Sequence, residues 1–291
     1  MKRYDHIYQQ KWLECKEKIL REGLGDISTE NSEIILRFLK DMELGVNTGK
    51  GSRKGGRSPR RLTDLKGRLI KVLLSLINMK ITKLGHCCLL IEEKGLRILT
   101  DPGNYSTIDD ELKNIDIILI THEHADHFHV PALKKLIENN PKVKVITNIS
   151  VSELIEKEDI PVSFLVMKDG QKIDFGNLTL EAIEGKHELI YKTWKDVQNT
   201  GFFIDNKLFY PGDSFYNPRK KVDILALPVA GPWCRIVDAV NYALEIKPRV
   251  AFPVHDGALK VMGGNHKVPA TVLPENGIEF RILEEDKETE L

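Results

Sequence analysis

Residues 121–129 read Thr-His-Glu-His-Ala-Asp-His-Phe-His, directly after the apolar run Ile115–Ile120 (Ile-Asp-Ile-Ile-Leu-Ile). A strand that ends in four imidazoles and two carboxylates constrains a fold more than any other feature of this chain. It must open its carboxyl end onto a loop rigid enough to hold those groups, because chemistry is usually carried by loops on a stiff support. Imidazole with carboxylate is the donor mix that zinc and similar divalent cations prefer. In an extended loop His122 and His124 project to one side, since alternate residues share a face. Asp126 and His127 follow on a turn and reach a second position nearby. Taken alone, such a cluster also reads as a solvated polar loop.

Three later segments have the same layout, a strand-like run and then a ligand-type residue. His187 stands in Glu184-Gly185-Lys186-His187 after the run 178–183, and Asp213 in Pro211-Gly212-Asp213-Ser214 after 207–210. His255 stands in Pro253-Val254-His255-Asp256-Gly257 after 249–253. Singly, His187 reads as a surface histidine, Asp213 as a turn residue after Pro-Gly and His255 as a loop histidine. Together with 121–127 those readings need four coincidences at strand ends.

The chain divides at residue 78. Formal charge is zero overall, yet residues 1–78 carry 17 Lys and Arg against 10 Asp and Glu, and the remainder 26 against 33. His6 is the one histidine before residue 85. The first part reads as helical, with stripes at Tyr4, Tyr8, Trp12 and Cys15, at Ile34, Ile35, Phe38, Leu39 and Met42, and at Leu62, Leu65, Leu69, Val72, Leu73 and Leu76. A glycine-rich basic loop, 45–57, joins the last two. From Met79 β-type runs take over at 79–83, 87–92, 95–100, 115–120, 143–147, 171–175, 178–183, 201–205, 207–210, 222–226 and 249–253. Helices fit near 130–138, 150–157 and 236–246. Two sheets covered by helices, or one mixed sheet, accommodate this order. The acidic stretch 284–290 is expected to be disordered. Met79 opens the second part as a start residue would, so a gene fusion or a mis-joined frame is one expectation for residues 1–78.

Other classes are excluded or narrowed. No apolar stretch approaches the roughly 20 residues of a membrane span, and the N-terminus lacks the apolar core of a secretory signal. The four cysteines, Cys15, Cys87, Cys88 and Cys234, form no regular framework. They read as reduced thiols of a cytoplasmic protein.

The order His-x-His-x-Asp-His, a distant His, Gly-Asp and a last His resembles the metallo-β-lactamase superfamily. The opening Met79-Lys80-Ile81-Thr82-Lys83-Leu84-Gly85-His86-Cys87-Cys88-Leu89-Leu90-Ile91-Glu92 and Ile98-Leu99-Thr100-Asp101-Pro102-Gly103 are most similar to its ascorbate-6-phosphate lactonase (UlaG)-like branch of metal-dependent hydrolases. The resemblance covers residues 79–291 and implies an αββα sandwich with metals at one sheet edge; the helical stripes of residues 1–78 add a small all-α domain before it. Matched motif by motif, it implies that His122, His124 and His187 hold a first ion, that Asp126, His127 and His255 hold a second, and that Asp213 bridges them. The ions are expected to be zinc, with manganese or iron also suited, and to make a bridging hydroxide near neutral pH for attack on an ester, lactone or phosphoester. Asp101 is implied to orient a ligand or the His-rich loop. His86 either binds substrate or moves a proton to the leaving group, or is a structural histidine at a turn. His129 and His266 match nothing and read as solvated loop residues.

Residues 1–78 resemble the SAM-like core-binding domain of tyrosine recombinases, on Asn31–Gly45 and the basic loop after it. Such domains clasp duplex DNA through its phosphates, and Lys50–Lys71 holds nine Lys and Arg against one acid, Asp64. The recombinase arginines and tyrosine have no counterpart after residue 78, so strand exchange is not expected. Two further readings stay open: a metal-dependent phosphodiesterase or nuclease, disfavoured by the net acidic second part, and a DNA-binding protein on a non-catalytic scaffold. A small-molecule substrate and no membrane are the expected partners.

Overall fold

The computed structural model describes residues 79–291 apart from Asp110 and Thr193. The helices, the recombinase-like domain and the DNA contact expected of residues 1–78 lie outside the described residues. Met79–Leu291 forms one compact unit.

Two seven-stranded sheets face each other. The first contains β1 (Lys80–Lys83), β2 (Leu89–Glu93), β3 (Leu96–Thr100), β4 (Ile117–Leu119), β5 (Lys144–Thr147), β6 (Ser163–Val166) and β14 (Glu288–Glu290), in the order β14-β1-β2-β3-β4-β5-β6. The second contains β7 (Lys172–Phe175), β8 (Leu178–Lys186), β9 (Gln198–Ile204), β10 (Leu208–Tyr210), β11 (Ile224–Pro228), β12 (Val250–Val254) and β13 (Glu279–Phe280), in the order β13-β12-β11-β10-β9-β8-β7. Helices α1 (Val130–Asn139) and α2 (Ile149–Lys157) pack on the first sheet, and α3 (Ile236–Ile246) and α4 (Gly263–Glu275) on the second.

Side-chain alternation along the strands builds these layers. Ile117 and Leu119 of β4 join Ile81, Ile91 and Ile98 in one buried cluster with Leu180, Phe202, Tyr210, Ala226 and Phe252 of the second sheet. Their neighbours Ile118 and Ile120 turn the other way, onto Leu133, Leu136, Val151 and Ile155 of the helices. Phe203, Phe209, Leu225 and Ala251 do the same against Ala239, Tyr242 and Leu273. Strands covered on both faces have no polar alternation, which is why β4, β11 and β12 read as continuous apolar runs. The result is a helix–sheet–sheet–helix sandwich, the one of the two architectures left open by the strand order that the metallo-β-lactamase resemblance implies.

The pairing β3–β4–β5–β6 is parallel, and so is β10–β11–β12–β13. Parallel strands send their carboxyl ends to one edge, where ligands of open α/β sheets gather. Asp101 follows β3, Thr121–His129 follow β4, Asp213 follows β10 and His255 follows β12.

The acidic tail is not disordered. Residues 288–290 are an edge strand antiparallel to β1, with Lys80 paired to Glu288 at 2.9 Å. Leu291 is 6% exposed and its N–H donates to the Met79 carbonyl at 2.9 Å. Composition suggested disorder, but Lys80 supplies the countercharge and Leu291 the apolar anchor. β6, β13 and α4 were also not legible. Pro269 and Pro274 inside α4 are helix breakers by propensity, overridden here by packing of Leu273.

Leu291→Ala is expected to lower unfolding stability by about 2 kcal/mol, the lower end for a buried leucine. Urea titration of the two chains measures it, and a free tail would give no change.

Candidate metal centre

Asp101 sets the position of the His-rich loop. Its Oδ1 accepts from the Thr121 N–H and its Oδ2 from the Thr121 hydroxyl, both at 2.7 Å. Oδ2 also receives His127 Nδ1 at 2.7 Å and the Tyr210 hydroxyl at 2.6 Å. All four groups are buried. After Thr121 the chain turns tightly, with the His127 N–H on the His124 carbonyl at 2.9 Å and the Asn104 N–H on the Ala125 carbonyl at 2.9 Å. Gly103 is required here, because a Cβ would stand 1.7 Å from the Asp126 carbonyl oxygen. Asp101 and His255 both hold left-handed backbone, φ 35° and 62°. Such conformations cost on the order of 1–3 kcal/mol in non-glycine residues and persist where surroundings over-determine them.

The hydrogen bonds assign the tautomers. His127 Nδ1–H donates to Asp101, His122 Nδ1 meets the Thr121 hydroxyl at 3.0 Å, and His187 Nδ1–H donates to the Glu188 carbonyl at 2.6 Å. Each of these three imidazoles thus directs its Nε2 toward the centre, the arrangement that outer partners impose on metal-binding histidines.

All seven residues of the implied ligand set converge, and Asp213 is the hub. Its carboxylate oxygens lie 3.0 Å from His255 Nε2, 3.1 Å from His127 Nε2, 3.2 Å from His187 Nε2 and 3.7 Å from His122 Nε2. His122 Nε2 and His124 Nδ1 are 3.1 Å apart. Asp126 Oδ2 stands 3.5 Å from His255 Nε2 and 3.9 Å from His127 Nε2. Ligand atoms about 2.0–2.1 Å from one tetrahedral ion stand roughly 3.3–3.4 Å apart, so these spacings suit cations held among them. One group is His122, His124, His187 and Asp213. The other side holds His127 and His255 together with His86 and Cys87, and Asp126 borders it. Among the described residues His127 Nε2, His187 Nε2 and Asp213 Oδ1 are buried without a hydrogen-bond partner. Buried polar atoms normally find one, and a divalent cation would satisfy all three. The residues therefore fit a metal centre.

Electrostatics support the same reading. Burial alone would raise the Asp213 carboxyl, but His127, His255 and His122 hold it well below the usual carboxylate range. Burial opposes charge on His127 too, yet Asp213 and Asp101 push its pKa well above the ordinary imidazole value. Burial lowers His122 and His124, keeping them neutral, the form that ligates metals. Despite burial, the His86 contact and the charge on His127 bring Asp126 down to about 2.

Residues 80–255 match the family model described as a β-lactamase superfamily domain. A UPF0173 protein of Pyrococcus abyssi is 34% identical over 192 residues, spanning 62% of this chain and 84% of the relative. A UPF0173 metal-dependent hydrolase of Thermoplasma acidophilum is 30% identical over 192 residues, spanning 61% and 83%. The chain belongs to the UPF0173 metal-dependent hydrolase family of the metallo-β-lactamase superfamily. Among solved structures, Igni18, a metallo hydrolase from the archaeon Ignicoccus hospitalis, shares the fold with a TM-score of 0.59. It is 20% identical, and the match covers 74% of this chain and 98% of that one.

Several neighbours of the centre in this UPF0173 member were not foreseen. The Trp233 indole N–H donates to Asp213 Oδ2 at 3.1 Å, and its ring meets those of His187 and His255 edge-on. Tyr210 sits at the end of an apolar strand, so its sequence context marked it as core. His266 is not a solvated loop residue. It lies on α4 and its Nε2 is 2.7 Å from Asp256 Oδ2, while Lys83 binds Asp256 Oδ1. His129 precedes α1 and lines a separate cavity of about 310 Å³. Cys87, Cys88 and Cys234 are free thiols, and among the described residues no helix is long and apolar enough to cross a membrane.

Asp101→Asn should weaken metal binding by roughly 10- to 100-fold, the usual effect of removing a partner of a ligating histidine. Chelator competition measures it, and unchanged affinity would contradict the role. Because the His127 pKa is raised, cation uptake should release a proton and apparent affinity should rise with pH. Calorimetric titration in buffers of different ionisation enthalpy reads this release; identical heats would oppose it.

Proposed function

We propose that this chain is a dinuclear metal hydrolase acting on an ester, lactone or phosphoester. The convergence of six imidazole and carboxylate side chains about Asp213, split to its two sides, carries this reading. His122, His124 and His187 would hold one ion, Asp126, His127 and His255 the other, with Asp213 shared. Zinc is the first choice for this nitrogen and oxygen donor set, with manganese or iron as substitutes. Bound there, two dications would lower the pKa of a water and polarise a carbonyl or phosphoryl oxygen. The lactone option rests on the UlaG-like opening segment and the order of the ligands. The UPF0173 relative of Thermoplasma acidophilum, a metal-dependent hydrolase, agrees with hydrolysis and leaves the substrate open.

The remaining work falls to the protein's own groups. Asp126, with 24% of its side chain exposed, is ionised and more open than His127 or Asp213, so it accepts a hydrogen bond from the attacking water and orients it. Trp233 covers Asp213 and excludes bulk water from the shared carboxylate, strengthening the electrostatics within. Asp101, Thr121 and Tyr210 hold the imidazoles in place without touching substrate.

The double variant His122→Ala, His124→Ala should lose at least one ion per chain and all turnover on a panel of esters, lactones, phosphoesters, RNA and DNA. Metal analysis beside the panel tests this; full metal content in the variant would refute the ligand assignment. Wild-type cleavage confined to nucleic acid would favour the nuclease reading instead.

A further inference from the structure

His86 is the most unusual polar side chain near the centre. It is 1% exposed, and both ring nitrogens are buried without a hydrogen-bond partner among the described residues. A buried imidazole with neither nitrogen satisfied is costly. A structural histidine at the turn would have a partner, and a proton carrier would need a route to one. Its Nε2 stands 3.4 Å from Asp126 Oδ2. That is close to the separation expected of two ligands of one ion, and with Asp213 shared His86 would make this ion five-coordinate. His86 ligand atoms also lie within 4.8 Å of those of His127 and His255, and its ring centroid is 4.0 Å from that of His255.

The backbone fixes this placement. The His255 N–H donates to the His86 carbonyl at 2.9 Å, coupling the left-handed residue to the segment after β1. Gly257 lies directly on His86, where a Cβ would stand 2.9 Å from its backbone nitrogen. The chain has given up a side chain at residue 257 to bring the two histidine segments together. The Tyr105 ring closes another side at 5.4 Å.

We infer that His86 is an additional ligand of the ion held by Asp126, His127 and His255, so that this ion has three imidazoles where the ion at His122, His124 and His187 has its own three. The inference rests on the dinuclear reading above. It assigns His86 to the metal rather than to substrate or leaving group. Cys87 shares the neighbourhood, but its side chain belongs to the inter-sheet core, so it is not assigned as a ligand. A crowded second ion has fewer positions open, which would direct substrate oxygens toward the ion of His122, His124 and His187.

The test loads the metal-free full chain with cobalt(II), reading stoichiometry by equilibrium dialysis and coordination by visible absorption. Wild type should take two ions. His86→Ala and His86→Gln should retain the first ion with unchanged affinity, an internal check that they are folded. They should bind the second on the order of tenfold or more weakly, with an altered absorption band. Cys87→Ala should match wild type. Two ions bound by both His86 variants with wild-type affinity and spectrum would overturn the inference and leave the dinuclear reading intact. Loss of the second ion in Cys87→Ala but not in the His86 variants would reassign the ligand and overturn it as well. Fewer than two ions in wild type would remove both.

Discussion

Asp213 holds a negative charge at the buried edge between two sheets, with four imidazole nitrogens between 3.0 and 3.7 Å from its oxygens. Isolated in that position a carboxylate would be expensive, and so would the lone pairs turned toward it. The arrangement is stable when positive charge stands among these groups, whether as a proton on His127 or as bound cations. Everything around Asp213 serves to hold that geometry. β10 delivers it, the Asn199 side chain accepts its backbone N–H at 3.0 Å, and Trp233 covers it.

The sandwich provides the rigidity that such a centre needs. The ligands come from four separated segments, each at the carboxyl end of a strand whose apolar residues are locked in the core. A shift of one residue in β4 or β12 would exchange core and helix-facing side chains and move the histidines out of reach. Fold and site are therefore specified by the same alternation. The Asp101 hub joins the layers further, since it binds Thr121 and His127 of the first sheet and Tyr210 of the second.

Much of this was legible in the chain itself. His122, His124, Asp126 and His127 announce themselves by density behind an apolar run, and His187, Asp213 and His255 by recurring strand-to-loop positions. Tyr210 and Trp233 gave no signal, because aromatic residues near strands are usually core and a hydrogen bond to a distant carboxylate leaves no local pattern. His266 is paired with Asp256 ten residues away across a turn, and Lys83 reaches the same carboxylate from β1, neither of which periodicity can show. The tail 284–291 misled because its composition is that of a solvated segment, while its pairing depends on Lys80 and Met79 far away in sequence. His86 could be placed near the site from its motif, but its two unpartnered nitrogens exist only in three dimensions.

Anomalous diffraction from crystals of the zinc-loaded full chain tests the central claim most directly. Two peaks about 3.5–4 Å apart, one on each side of the Asp213 carboxylate, are the predicted result. A single peak, or zinc bound away from Asp213, would contradict it.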